Sequence, residues 1–219
     1  MSVLRETWWL LQKEFLLEWR NKFALSGILL YVFSTIFIVY LAFFNVDPRT
    51  WNALFWIIVS FAAVNAAVKS FAQENSQRQL YYYTLVNPIA VILSKIVYNI
   101  GLLFVISVLT WLGFGFVADN PVKDVPQFIL VIFLGSLGFA IAFTFISAIS
   151  AKANNNATLM AIMSFPVIIP VLLTLIKLSA NALRILQDTS VDTDIMILVS
   201  INMLLLGMAL LLYPYLWRG

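Results

Sequence analysis

The stretch FILVIFLGSLGFAIAFTFISAIS, residues 128–150, decides the fold class because it contains no Asp, Glu, Lys or Arg. A helix that crosses a bilayer needs roughly 20 mostly apolar residues at 1.5 Å each, and this stretch has that length. Five other stretches pass the same test, so the sequence predicts an all-α integral membrane protein with six transmembrane helices. The predicted spans are residues 23–44, 51–71, 89–117, 128–150, 159–176 and 195–217 of a single transmembrane domain, 1–219.

Composition supports the same class. The chain is 63% hydrophobic and 11% charged, with a mean hydropathy of +0.97. A soluble domain is nearer half apolar and a quarter charged, so the excess apolar surface must face lipid. The net charge of +3 is too small to be typical of a nucleic-acid-binding protein. The absence of cysteine and histidine excludes disulfides, thiolate chemistry and imidazole ligands for a metal or a haem.

Basic residues predict the orientation. If the N-terminus lies in the cytoplasm, nine Lys and Arg fall inside and four outside. By the positive-inside rule, this asymmetry predicts that both termini are cytoplasmic. Aromatic residues at the span ends agree, and Tyr40 and Trp51 are predicted to lie in an outer aromatic belt.

Residues 1–22 have an amphipathic pattern. An apolar stripe at helical spacing lies opposite a polar one, which predicts a helix lying in the inner membrane interface before the first span. A simple membrane anchor and a coupling role fit this helix equally well. The apolar stripe comprises Leu4, Trp8, Leu11, Phe15 and Trp19, and the polar stripe comprises Arg5, Gln12, Lys13 and Arg20.

Residues 69–95, KSFAQENSQRQLYYYTLVNPIAVILSK, form a polar island between two apolar runs. Glu74 and Arg78 are four apart and would support a helix, and Pro88 would end that helix before the third span. We therefore predict a cytoplasmic coupling helix that a soluble partner grips. The alternative is a solvated loop whose tyrosines lie in the lipid interface. The predicted coupling residues are Glu74, Gln77, Arg78, Leu80, Tyr81 and Pro88.

Polar and proline residues inside the spans have structural and functional interpretations. Pro166 and Pro170 in the fifth span indicate either a packing kink or a hinge. Lys69 and Lys95 lie at inner helix ends, where long basic side chains can extend to the interface. Three span asparagines are predicted to form interhelical hydrogen bonds rather than to bind a substrate, and these are Asn65, Asn99 and Asn202.

Catalytic patterns are missing from the sequence. It contains no P-loop, no G-x-S-x-G and no H-E-x-x-H motif, so we expect the chain not to be an enzyme and not to bind ATP itself. No ionisable residue falls at mid-membrane depth, which argues against an ion-coupled carrier. What remains is a six-span protein with a polar cytoplasmic segment, as expected for the permease half of an ATP-driven transporter.

Residues in two regions resemble the CcmB family, the haem-exporter-type permease subunit of cytochrome c maturation. The resemblance extends over the whole chain and includes the P-x-x-x-P of FPVIIPVLL, at Pro166 and Pro170. The other matching positions are Phe71, Glu74, Leu80, Pro88, Leu93 and Lys95.

The resemblance implies a permease with an ABC exporter-like fold in a bacterial inner membrane, acting in haem export or haem delivery. It also implies a separate CcmA-like ATPase that holds ATP and a CcmC-like membrane partner that handles haem. Because this chain has no histidine, we expect the partner to supply the axial ligands if haem is the substrate. Identical half-transporters usually pair, so we expect a homodimer. Two alternatives stay open: an ABC permease for a lipid, polysaccharide or drug, and a non-transporting scaffold for the haem-handling partner.

Overall fold

A computed structural model describes residues 3–20, 23–43, 45–72, 86–152, 157–186 and 190–218. These residues form seven helices and no strand, which confirms the all-helical prediction. The helices are α1 (Val3–Arg20), α2 (Phe23–Ala42), α3 (Pro48–Ala72), α4 (Pro88–Val117), α5 (Val125–Lys152), α6 (Ala157–Ala182) and α7 (Val191–Arg218).

Five of these helices are long and apolar enough to cross a membrane, so the structure supports a multi-pass membrane protein. Their apolar portions are Pro48–Ala67, Pro88–Val117, Val125–Ala151, Ile162–Ala182 and Val191–Trp217. The described residues thus contain five candidate spans, whereas the sequence predicts six. In α2 the apolar part within the described residues, Ser26–Ala42, is shorter than the other five.

The end of α6 differs from the prediction. The sequence predicts that the fifth span stops near residue 176, but α6 continues without a break to Ala182. Its last turns are tied to neighbouring helices. The Lys177 ammonium lies 2.9 Å from the Asp194 carboxylate of α7, and the Trp56 indole of α3 donates to Ser179 at 2.8 Å. These polar contacts allow the apolar helix to include a lysine and a serine.

Helix α5 is the centre of the fold and packs against α3, α4, α6 and α7. Two glycines let these neighbours approach closely. A Cβ on Gly135 would lie 2.9 Å from the Trp56 ring, and one on Gly138 would lie 2.6 Å from the Asn202 amide oxygen. Close helix contact at small residues is the usual packing mode in membranes, where lipid leaves no hydrophobic driving force between helices.

An aromatic cluster joins α3, α4 and α5. The Trp51 ring is stacked between Phe55, at 5.5 Å between centroids, and Phe114, at 5.1 Å. Phe128 packs against the same tryptophan at 6.1 Å. The prediction that Trp51 lies in an outer aromatic belt is thus wrong, because its side chain is fully buried by these rings.

The turn before α3 is held by Asp47. Its carboxylate accepts hydrogen bonds from the Thr50 hydroxyl and from the amides of Thr50 and Arg49. These hydrogen bonds, that of the Thr50 hydroxyl foremost, hold the pKa of Asp47 below its ordinary value. The charged carboxylate therefore caps the free N–H groups at the start of α3.

Candidate functional site

The candidate site is the junction between α1 and the first three turns of α4. It directly follows the segment in which the sequence predicts a coupling helix. Pro88 is described by the structure, whereas Glu74, Gln77, Arg78, Leu80 and Tyr81 lie outside the described residues.

The start of α4 is fixed by two polar side chains. The Asn87 side chain accepts from the Ile89 amide at 2.9 Å, and Pro88 occupies the first turn, where a missing N–H has no effect. The backbone N–H of Asn87 in turn donates to the Glu6 carboxylate of α1 at 3.1 Å. The chain therefore leaves the predicted coupling segment at a point that α1 holds in place.

Lys95 forms the second link between the two helices. Its side chain is only 1% exposed, and its ammonium lies 3.5 Å from the Glu14 carboxylate. Lys13 lies 3.0 Å from the same carboxylate. The prediction that Lys95 extends to the interface is wrong, because α1 covers it and supplies the opposite charge. A buried ammonium needs such a partner, since an uncompensated buried charge is strongly destabilising.

A third link lies one turn further along α4. The Tyr98 hydroxyl donates to the Glu18 carboxylate, and the Tyr98 ring meets Phe15 edge-on at 5.4 Å between centroids. Together, the three links pair α1 with α4, and the residue numbers increase from one link to the next in both helices. At 1.5 Å per residue they extend over about 16 Å of α4. The two helices therefore run side by side in the same direction.

Helix α1 turns Glu6, Glu14 and Glu18 towards α4. Most of its apolar stripe stays exposed, although the Phe15 ring also contacts Tyr98. The apolar side chains Leu4, Trp8 and Phe15 are more than half exposed, whereas Glu6 and Glu14 are partly buried. Residues 3–20 form a helix with exposed apolar side chains, but the stripes predicted from the sequence assigned no role to its acidic residues. Their spacing of eight and four residues, on one helical face, was the signal that could have revealed the contact with α4.

The span asparagines behave as predicted at two of three positions. Asn99 donates to the Thr144 hydroxyl at 2.8 Å, and Asn202 donates to the Leu134 carbonyl at 3.1 Å, so each joins two helices. Asn65 instead lies on an exposed face of α3. Such bonds fix how the spans pack against one another.

The two prolines of the fifth span lie inside a single helix. Helix α6 runs through Pro166 and Pro170, and both side chains are exposed. The Thr174 hydroxyl donates to the Pro170 carbonyl at 2.9 Å. Whether these prolines act as a hinge stays a prediction.

Comparison with known proteins identifies the family of the chain. Residues 5–215, nearly the whole sequence, match the family model described as CcmB protein. Parallel searches of curated proteins and of solved structures gave no match.

Proposed function

Because this chain belongs to the CcmB family of ABC transporter permeases in cytochrome c biogenesis, we propose that it couples a separate ATPase to haem export or haem delivery. The family match over residues 5–215 carries the proposal. The ATPase is of the CcmA type and binds ATP, while this chain contributes the membrane helices. A CcmC-like partner supplies the haem ligands that a chain without histidine lacks.

The α1–α4 junction supports a specific route for this coupling. We propose that the ATPase moves the segment around residues 74–85, which continues into Asn87 and Pro88. A displacement there passes directly to α4, and the Glu6 and Glu14 contacts carry α1 with it. Two helices that are linked at three places act as one rigid lever rather than as separate elements.

The lengths of the helices favour a location of this lever at the cytoplasmic membrane surface. Helix α4 has 30 residues and is about 45 Å long, whereas the hydrocarbon of a bilayer is about 30 Å thick. The first turns of α4, which α1 covers, would therefore extend beyond the hydrocarbon. On this arrangement α2, which has 20 residues, is the first of six spans, and both termini are cytoplasmic.

The test replaces Leu80 and Tyr81 by alanine. We expect the L80A/Y81A protein to insert in the membrane but to lose co-purification of the ATPase and cytochrome c maturation. The matched control is L211A/Y215A, which removes the same side-chain types from exposed positions on α7. It should keep both ATPase co-purification and cytochrome c maturation. If L80A/Y81A keeps both ATPase co-purification and cytochrome c maturation, the segment is only an interfacial loop.

Assembly is tested separately by native mass spectrometry of the purified complex. We expect two copies of this chain with two ATPase subunits, paired through the first and fifth spans, α2 and α6. A single copy for each ATPase pair would rule out the homodimer.

A further inference from the structure

A groove runs between α2 and the second half of α4. It consists of two adjoining cavities of about 440 and 430 Å³, which share Tyr40 and Val117 in their walls. The second cavity is lined only by apolar and aromatic residues and glycine. Besides the shared residues these are Phe33, Ile36, Phe37, Gly113 and Phe116.

Gly113 lies at the bottom of the apolar half of the groove. A Cβ at this position would lie 3.3 Å from the Ile36 side chain, so α2 and α4 approach closely because α4 has no side chain here. One turn further along, Phe116 is 92% exposed and forms a lip beside the opening. The groove is therefore open to the side, where an acyl chain can enter from the bilayer.

The other end of the groove is polar and negative. Helix α2 ends at Ala42 and α4 ends at Val117, so the carbonyl ends of two helices meet at this cavity. The C-terminus of a helix carries a partial negative charge. Asn45 and Asp119 line the same cavity, and none of the described residues lining either cavity is Lys or Arg.

Asp119 is unfavourable at its position in two respects. Its φ of 51° lies in the left-handed region, which glycine or asparagine usually occupies after a helix. Its carboxylate also lies just beyond a helix C-terminus, where a cation is favoured and an anion is not. A positive group bound beside Asp119 would offset the second of these penalties.

We propose that the groove binds one phospholipid with a primary ammonium headgroup, phosphatidylethanolamine. The ammonium lies against Asp119 and the helix carbonyl ends, and one acyl chain lies along Phe37 and Gly113. Charge complementarity selects this lipid over an anionic one, because the polar end provides negative groups and hydrogen-bond acceptors. The proposal does not depend on haem or on the ATPase.

The experiment measures lipid binding to the delipidated full chain by native mass spectrometry. Phosphatidylethanolamine should bind more tightly than phosphatidylglycerol. Asp119→Asn should weaken phosphatidylethanolamine binding by up to about fivefold, the size of one exposed ion pair, and leave phosphatidylglycerol binding unchanged. Asparagine tolerates the left-handed backbone, so the fold is kept. Asp119→Gly should have the same effect on binding, which separates charge from backbone strain.

The matched control is Asp192→Asn, which removes another exposed carboxylate, at the start of α7, and should not affect binding. Equal binding of the two lipids, or equal weakening by Asp192→Asn and Asp119→Asn, would overturn the proposal. Because the chain has no native cysteine, Phe116→Cys tests the groove directly in membranes. Efficient disulfide cross-linking through this cysteine would show that a second copy covers the groove, and would also overturn the proposal.

Discussion

At the residue scale, the Lys95–Glu14 pair leads to an ordered set of stability changes. Glu14→Gln leaves the buried ammonium without this carboxylate and should lower the free energy of unfolding by about 2 kcal/mol, somewhat below the roughly 3–5 kcal/mol for a fully buried pair. Lys95→Met should cost less, because Glu14 still has Lys13 at 3.0 Å. Equilibrium unfolding in mixed micelles measures both changes.

The double variant E14Q/K95M is the control for this pair. It removes both charges and should recover part of the stability that Glu14→Gln loses, since neutral replacement of a buried pair is often tolerated. If the stability loss of the double variant equals the sum of the losses of the two single variants, the two side chains do not interact.

Two glycines provide a second residue-scale prediction. Gly138→Ala places a Cβ 2.6 Å from the Asn202 amide oxygen and 3.1 Å from Val171, so overpacking should destabilise the protein by about 2 kcal/mol. Gly207→Ala meets no heavy atom within 4 Å and should stabilise α7 by up to about 1 kcal/mol. Thermal unfolding in detergent compares the two. A stabilising Gly138→Ala would mean that α5 and α7 are further apart than described.

At the element scale, the question is whether the two prolines of α6 form a packing kink or a hinge. Replacing Pro166 and Pro170 by alanine restores two backbone N–H groups and should raise the free energy of unfolding, by about 1 kcal/mol or more. A lower stability would contradict the continuous helix. Cytochrome c maturation then separates the two interpretations: unchanged maturation assigns a packing kink, and lost maturation in a more stable protein assigns a hinge.

Helices differ in how well the sequence predicts them, for a physical reason. Helix α5 follows from residues 128–150 alone, because burial in lipid is a local requirement on composition. The direction in which α1 faces is not local, since it depends on Lys95 and Tyr98 in a distant part of the chain. Trp51 shows the same limit: a tryptophan at a span end fits both an interface belt and a packed cluster, and only its ring neighbours decide.

At the scale of the whole molecule, topology can be tested with reporter fusions. Gln77 lies between α3 and α4, and Asn120 lies between α4 and α5, so one crossing helix separates them. We expect a fusion at Gln77 to report the cytoplasm, and fusions at Asn120 and Gln187 to report the opposite side. A periplasmic signal at Gln77 would overturn the orientation and with it the proposed coupling segment.

The pairing of α1 with α4 has a consequence for the groove between α2 and the second half of α4. Only residues 21 and 22 separate α1 from α2, so the ends of these helices can be at most about 11 Å apart between Cα atoms. When the joined α1 and α4 move together, the short connection therefore moves the start of α2 with them, while the far end of α2 is not tied to α1. We expect the width of the gap between α2 and α4 to change during each cycle of ATP hydrolysis, and the rate of lipid exchange to change with it.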